Sequence, residues 1–591
     1  MLMLLGGHSN RAEEVDMQWP VPAEASAAYD LGDKATAHVI VEQTIARCRI
    51  EATRPALCIE LMLISSTIGS DRKTNEARSR EALMLARGDP PQSPALIAIA
   101  EAQLASILDR DGASEEAAAL WRSAYNFNRT DPAKKFEAWA AASMAAAHLT
   151  GLGRPAEAEP LLREALPLSI AATGPQSEST ITALMQLAGN LENAQPREAE
   201  ALYRKALTAS LALYGKEHAK TADACNSLAV ILYRVAEYRE AEELALQALA
   251  LREKLFGLSS TEVAVTVGNL GAILAGAGRY ADADGPLRRA LAIREEQRAG
   301  VALESALIHA GDNLVNLGNY RDAEPLLRRA LELRIARAGP SDPDTATAQE
   351  ALAIALRNLR RYDQAIALLR AAVDVKTQRL GADHSDVGYA LNNIAVTLDA
   401  LGRFGEAEAA YRRAVEIGRK GFGADSPITA LWLQNLATNL DEQRRFPEAE
   451  PYYREALDIQ KRLFGADHID VAQTYNNLAT NLQSQGRLAE AIDAARSAAR
   501  MTAAVAGPAH PRRILYELNL GAMLTYQGRD LVRARAYLRS AQLGIGQRIA
   551  LTREFDETAR SDLAYYRPAY TNEVRAAWYL TEVVQENSTG R

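Results

Sequence analysis

Asparagine recurs at regular intervals along this 591-residue chain, each time just before an apolar residue. The slot is occupied in turn by Gln186, Ser227, Asn269, His309, Ala351, Asn393, Asn435, Asn477 and Asn519. Neighbouring slots add Asn392, Gln434 and Asn476, with Asn439 and Asn481 one helical turn later. An amide side chain has a donor and an acceptor, so it can pair with the N–H and C=O groups of an extended peptide. The row predicts clamps for a peptide backbone, that is, amides that hydrogen-bond the backbone of a bound peptide. The alternative is that these amides only form hydrogen bonds between one repeat and the next.

Histidines and cysteines are weaker candidates for chemistry. Four histidines share one slot, three residues after a recurring glycine: His218, His384, His468 and His510. Each repeat contributes one of these histidines, so successive histidines lie too far apart to bind one metal ion together. We therefore expect them in loops and at helix starts. Cys48 and Cys58 lie ten residues apart, and we expect buried thiols there, with a redox pair as the alternative. The sequence predicts no metal site and no bound cofactor.

Motifs of common enzyme classes are absent from the sequence. It contains no Gly-x-x-x-x-Gly-Lys-Ser/Thr phosphate loop, no His-Glu-x-x-His pair and no Gly-x-Ser-x-Gly elbow. The net charge of −8 argues against a nucleic-acid partner, which needs a basic face. No apolar run approaches the roughly 20 residues that cross a bilayer. We therefore expect no catalysis, no nucleic-acid partner and no membrane insertion, while the oligomeric state stays open.

Three ladders with a common period of about 42 residues indicate which elements carry these side chains. An alanine recurs at Ala77, Ala117, Ala158, Ala199, Ala241, Ala283, Ala323, Ala365, Ala407, Ala449, Ala491 and Ala534. A mostly apolar anchor about thirteen positions earlier runs from Ala145 to Leu520, and a glycine about sixteen positions later runs from Gly174 to Gly507. Each unit predicts two helices, with the glycine ending the second in a left-handed conformation. Neither helix can bury its apolar stripe alone, so neighbouring units must stack.

The units resemble the tetratricopeptide repeat, and more closely the 42-residue variant of kinesin light chains and their bacterial relatives. The matching blocks are Leu391-Asn392-Asn393-Ile394-Ala395, Gly402-Arg403-Phe404-Gly405-Glu406-Ala407-Glu408, Tyr411-Arg412-Arg413-Ala414 and Gly381-Ala382-Asp383-His384. The resemblance covers roughly residues 30–548 and implies an all-α, right-handed superhelix of about twelve helix-turn-helix repeats. It also implies that asparagines in the groove hold a peptide backbone. The unit around Ala310 departs from the pattern, with Ile308-His309 where two polar residues are expected.

These features predict a non-catalytic scaffold or adaptor that binds an extended peptide or a partner protein in a concave groove. The predicted groove residues are Asn269, Asn392, Asn393, Gln434, Asn435, Asn439, Asn476, Asn477, Asn481 and Asn519. The predicted organisation is an irregular segment over 1–25, degenerate repeats over 26–150, a regular array over 151–548 and a helical cap over 549–591. The apolar start is too short for a signal peptide, so a cytoplasmic location is expected. The alternative is the periplasm, if the start codon is mis-assigned.

The C-terminal segment has a resemblance of its own. Three stretches are similar to the connector before the caspase-like CHAT domain of bacterial TPR–CHAT proteins: 556–560, 566–568 and 574–578. That domain needs a cysteine nucleophile, and no cysteine follows Cys225. The alternative function is therefore a regulatory or sensor subunit of a proteolytic or defence system that lacks the protease domain.

The regularity of the units predicts a gradient of stability along the array. In a linear array the free energy of unfolding is a sum of repeat and nearest-neighbour terms, so weak repeats open first. Amide hydrogens in the degenerate units before residue 150 should exchange faster than those over 360–500, as measured by hydrogen exchange with mass spectrometry. Equal protection throughout the array would contradict this prediction.

Overall fold

The computed structural model describes residues 23–551, apart from 31, 52–54, 69–70, 89–90, 110–113, 299, 424 and 466–467. These residues form 26 α-helices, and the described ranges contain no β-strand. The predicted all-α fold is confirmed. Contacts divide the chain into two compact units, one ending at Gln297 and the other beginning at Arg298.

The helices of each unit follow one another in pairs. The first unit contains α1 Ala23–Asp30, α2 Lys34–Glu51, α3 Pro55–Ile68, α4 Arg72–Ala86, α5 Pro94–Leu108, α6 Glu115–Asn128, α7 Lys135–Gly151, α8 Pro155–Thr173, α9 Glu178–Leu191, α10 Pro196–Tyr214, α11 Ala219–Arg234, α12 Tyr238–Phe256, α13 Thr261–Gly276 and α14 Tyr280–Glu296. The second contains α15 Gly300–Asn316, α16 Tyr320–Ala338, α17 Pro343–Asn358, α18 Tyr362–Leu380, α19 Ser385–Ala400, α20 Phe404–Gly421, α21 Pro427–Glu442, α22 Phe446–Phe464, α23 Ile469–Ser484, α24 Leu488–Val505, α25 Pro511–Gln527 and α26 Leu531–Leu551. The pairs from α3–α4 to α25–α26 are the twelve predicted repeats, and in each pair the two helices pack against each other.

The alanine ladder marks where the two helices of a repeat approach most closely. Eleven of its members, from Ala117 to Ala534, have no exposed surface. The facing position on the first helix is small as well: a Cβ added to Gly521 would lie 2.7 Å from Cγ of Leu538. Ala77 is exposed, so the prediction that it belongs to this ladder is wrong. The buried residues of α4 on either side of it are Asn75 and Ser79, because two positions turn a side chain through about 200°.

The glycine ladder ends the second helices as predicted at six of its nine positions, where the glycine directly follows the last helical residue. Gly423 lies two residues beyond the end of α20, and Gly300 is the first residue of α15. Positive φ angles between 49° and 94° occur at Gly174, Gly215, Gly257, Gly300, Gly339, Gly381, Gly423 and Gly465. The prediction for Gly507 is wrong, because α24 already ends at Val505 and Ala506 is extended, with φ −128° and ψ 139°. At this position the extended Ala506 ends the helix, and no residue with a positive φ angle is needed.

The four histidines of the shared slot begin first helices, as predicted. They are the N-cap residues of α11, α19, α23 and α25. In each case Nδ1 accepts a hydrogen bond of 3.2 Å from the backbone N–H two residues later. Such a bond satisfies one of the backbone donors left unpaired at a helix start, so these side chains have a structural task.

The cysteines differ from the expectation of buried thiols. Cys48 on α2 and Cys58 on α3 form a disulfide, and their Cα atoms are 5.7 Å apart. The two helices are consecutive and pack together, which brings residues ten positions apart into bonding range. Cys225 is a free, buried thiol, and burial raises its pKa.

First helices occupy the inner side of the second unit. Here α15, α17, α19, α21 and α23 each contact the next first helix along the chain. Outside its own repeat, each second helix mainly contacts the first helix of the next repeat. Because first helices lie closer together than second helices, the stack within this unit curves with its first helices on the concave face.

Candidate functional site

Each first helix from α19 to α25 has one stripe of side chains that neighbouring helices leave at least partly exposed. On α21 the stripe is Leu431, Asn435, Thr438 and Glu442, at the spacing i, i+4, i+7 and i+11 of one helix face. The equivalent stripes are Tyr389, Asn393, Val396 and Ala400 on α19; Gln473, Asn477, Thr480 and Ser484 on α23; and Leu515, Asn519, Ala522 and Tyr526 on α25. None of these residues is buried, and together the four stripes are named the groove face.

Two of the predicted asparagines lie behind the groove face. Asn481 on α23 has no exposed surface, and its Nδ2 donates to Oδ1 of Asp441 at 2.6 Å and to the carbonyl of Phe446 at 2.9 Å. Its Oδ1 accepts from Nε2 of Gln485 at 2.8 Å, and the hydroxyl of Tyr453 donates to Asp441 at 2.9 Å. The amide of Asn481 is therefore fully used in bonding α23 to the repeat before it.

The same network occurs one repeat earlier. Asn439, also without exposed surface, donates to Asp399 at 2.6 Å and to the carbonyl of Phe404 at 3.0 Å, and accepts from Gln443 at 2.9 Å. Tyr411 donates to Asp399 at 2.9 Å. Burial raises the pKa of the Asp399 carboxyl, and hydrogen bonds from Asn439 and Tyr411 oppose that rise. These two copies, around Asp399 and Asp441, are named the Asp–Asn–Tyr networks.

The networks are functional features that the sequence reasoning missed. Their signal is a tyrosine twelve residues after an aspartate and an asparagine forty residues after it. This spacing occurs at Asp399, Tyr411 and Asn439, and again 42 residues later. An aspartate at the end of an amphipathic helix looks like an ordinary solvated residue, so only the repeated spacing could have identified it.

A second set of amides forms bonds between successive first helices. Nδ2 of Asn435 donates to Oδ1 of Asn392 at 3.0 Å, and Asn519 donates to Asn476 at 2.8 Å. In the first unit, Asn269 donates in the same way to Asn226 at 3.1 Å. Oε1 of the buried Gln434 accepts from Thr474 at 2.8 Å. These contacts support the alternative that part of the asparagine row holds repeats together.

Asn393 and Asn477 are different from the other amides. Both lie half-buried on the groove face, and neither side chain has a hydrogen-bond partner within the described part of the chain. Asn435 and Asn519, the two remaining groove-face asparagines, each use one donor on a neighbouring helix. The groove face therefore presents four amides in a row, two of them with all donors and acceptors available.

The row changes character at the start of the second unit. On α15 the slot holds His309, with Asp312 one turn later, and on α17 it holds Ala351. Burial lowers the pKa of the His309 imidazole and raises that of the Asp312 carboxyl to about 6. The amides are continuous only from Asn393 to Asn519, which sets the extent of the candidate site.

The second helices carry ion pairs between an acidic residue and an arginine four positions later. Six such pairs have N–O distances of 2.6–3.0 Å: Glu159–Arg163, Glu200–Arg204, Asp284–Arg288, Glu324–Arg328, Glu408–Arg412 and Glu450–Arg454. Second-helix arginines also reach the next second helix, as Arg204 does to Glu240 at 2.6 Å. Exposed pairs of this kind contribute little energy individually, so they indicate a solvated surface.

Metal sites and membrane-spanning helices are both absent from the described part of the chain. No group of three or more His, Cys, Asp or Glu side chains in that part of the chain is placed to hold a metal ion. None of the described helices is both long and apolar enough to span a membrane. Residues 552–591, which carry the predicted cap and the CHAT-connector resemblance, lie outside the described residues.

Helix pairs that stack at a 42-residue period, with an alanine at each closest approach, define an α-solenoid. The tetratricopeptide repeat family matches the chain over residues 136–212, 189–254, 221–296, 303–378, 345–420, 386–462 and 428–504. These matches cover more than half of the sequence, so the chain belongs to the tetratricopeptide repeat family.

Two of the solved structures that are similar to this chain each cover only part of it. BtubC (BKLC) from P. vanneervenii is 26% identical over 38% of this chain and 89% of its own, with a TM-score of 0.33. Nearly identical TPR-like repeats of a Podosopora anserina chain, named for kinesin light chain, are 19% identical over 36% of this chain and 99% of their own, with a TM-score of 0.32. A search of curated proteins finds no match.

The two kinds of asparagine should respond differently to truncation. Asn481→Ala should lower the free energy of unfolding by about 1–3 kcal/mol, because it leaves Oδ1 of Asp441 without its donor, while Tyr453 still donates to Oδ2. Asn477→Ala, four residues earlier on the same helix, is the matched control and should change it by less than about 0.5 kcal/mol. Urea unfolding followed by circular dichroism measures both. Equal losses in the two variants would refute the distinction.

Proposed function

We propose that the chain is a non-catalytic adaptor whose groove face holds an extended peptide segment of a partner protein. Tetratricopeptide repeats generally mediate protein–protein interaction. The observation that carries the proposal for this chain is the pair of unpartnered amides, Asn393 and Asn477, in line with Asn435 and Asn519. Asparagine is a mediocre helix former, so its repeated use in the middle of a helix needs a compensating task.

The chemistry of the clamp follows from the geometry of an amide. Nδ2 can donate to a peptide carbonyl while Oδ1 accepts from a peptide N–H, without reading the peptide's side chains. Half-buried amides hold such bonds away from bulk water, where they are electrostatically stronger. One clamp per repeat along several first helices would fix the direction and register of the bound segment.

The proposed contact set is narrower than the predicted one. Asn393, Asn435, Asn477 and Asn519 make up the row that faces the peptide. Five amides, namely Asn392, Gln434, Asn439, Asn476 and Asn481, form a supporting layer that keeps successive first helices in register. Asn269 has the same supporting role toward Asn226 in the first unit.

The compartment is a separate proposal. Disulfides persist where thiols are kept oxidised, and they are rare in the cytosol. The Cys48–Cys58 disulfide therefore supports the periplasmic alternative over the cytoplasmic one.

Capture from native lysate tests the adaptor function. Wild-type chain should retain a partner that the double variant Asn393→Ala/Asn477→Ala loses, since the variant lacks both unpartnered amides. The matched control is Asn358→Ala on α17, an exposed asparagine whose amide already donates to the carbonyl of Ile354 at 2.8 Å. Circular dichroism should show equal helicity in all three proteins.

Two results would contradict the groove as the binding site. One is a partner that the double variant keeps. The other is a partner that is lost only on deleting residues 550–591. The second result would move the function to the C-terminal segment and favour the regulatory-subunit alternative.

A further inference from the structure

We propose that the groove face binds uncharged peptide segments in the polyproline II conformation. One row of groove-face residues contacts every third side chain of the peptide and selects its type. The row consists of Tyr389, Leu431, Gln473 and Leu515, and it predicts the pattern apolar-x-x-apolar-x-x-polar-x-x-apolar in one chain direction or the other. This inference rests on the proposed function and adds the class of ligand.

The row lies one helical turn before the amides, on the same stripes. Tyr389 is 37% exposed and Leu431 is 44% exposed, while Leu515 and Gln473 are half-buried. Large apolar side chains that remain in water next to unpartnered amides are suited to a ligand with both a backbone and apolar side chains. Gln473 interrupts the apolar surface, so one ligand position should be polar.

Tyr389 is held as a rigid platform. Its ring lies edge-on to the buried Trp432, with centroids 5.3 Å apart, and contacts Phe422 at 5.8 Å. Trp432 fits because the neighbouring positions have no side chain: a Cβ on Gly388 would lie 2.6 Å from Cη2 of Trp432. A fixed ring loses little conformational entropy on binding, which favours a specific apolar contact.

The spacing of first helices selects the conformation of the peptide. The 3.0 Å hydrogen bond between Asn435 and Asn392 shows that α19 and α21 are in direct contact, and packed helices lie about 8–10 Å apart. A polyproline II helix advances about 3.1 Å per residue with three residues per turn, or about 9.3 Å per turn. A β-strand repeats its side-chain face about every 6.6 Å, which does not match. Polyproline II also leaves every backbone N–H and C=O unpaired, as the amide clamps require.

Charge on the groove face excludes strongly charged segments. Of its sixteen residues, Glu442 is the only charged one, and it lies at the edge of the stripe. At the opposite edge Arg512 forms an ion pair with Asp470 at 3.3 Å, so the two opposite charges offset each other. An acidic peptide finds no cation on this surface, and a basic peptide finds a single carboxylate.

Panning a displayed library of random twelve-residue peptides on the full chain tests the inference. Enriched peptides should show the three-residue pattern, and their affinity is measured by fluorescence anisotropy. Leu431→Ser should weaken binding at least tenfold. The matched control is Leu543→Ser, which removes a leucine that is 69% exposed on α26 and outside the groove face, and it should have no effect. Gln473→Leu should retain binding and change the selected residue at the third position from polar to apolar.

The outcomes separate this inference from the proposed function. Suppose that the enriched peptides fail to bind the Asn393→Ala/Asn477→Ala variant but show a two-residue or a charged pattern, or bind Leu431→Ser as tightly as wild type. Such a result overturns the inference on ligand class and leaves the adaptor function standing. Failure of Gln473→Leu to change the selected residue also overturns it. If no peptide is enriched on a chain of wild-type helicity, both proposals fail.

Discussion

A half-buried aspartate that bonds to two neighbouring repeats is the feature on which the groove depends. Asp441 accepts bonds from Tyr453 of its own repeat and from Asn481 of the next one. A carboxylate removed from water is costly unless donors surround it, so the network tolerates only a narrow range of positions for the next helix. Asp399 repeats the arrangement one step earlier. These hydrogen bonds thereby fix the register between repeats. The apolar contact alone would allow one repeat to shift along the next.

That register decides what the surface of the first helices can do. With successive helices held in phase, Asn393 and Asn477 fall in line with the partly engaged Asn435 and Asn519. Tyr389 and Leu431 fall in a parallel row one turn away. The same residue type therefore serves two purposes four positions apart: Asn481 holds the stack together and Asn477 faces outward. Four residues of an α-helix turn through about 400°, so the side chains of Asn477 and Asn481 point about 40° apart. One helix can therefore carry an asparagine that bonds to the neighbouring repeat and another that faces a ligand.

The fold could be predicted because its determinants are periodic in the sequence. Alanines that recur every 42 residues identify the second helices, and eleven of them are fully buried. The errors fall where the period breaks: at Ala77, which is exposed, at Gly300, which begins α15, and at Gly507, where α24 ends early. The division of the asparagines could not be read from the sequence, since Asn477 and Asn481 differ only in depth. That depth depends on Asp441, which belongs to another repeat.

A crystal structure of the full chain with a selected peptide would test the central claim most directly. We predict that Nδ2 and Oδ1 of Asn393 and Asn477 lie about 2.7–3.2 Å from backbone atoms of the peptide. Asn439 and Asn481 should keep their bonds to Asp399 and Asp441 unchanged. A peptide bound away from the groove face, or bound through Asn439 and Asn481 with their hydrogen bonds to Asp399 and Asp441 broken, would contradict the account.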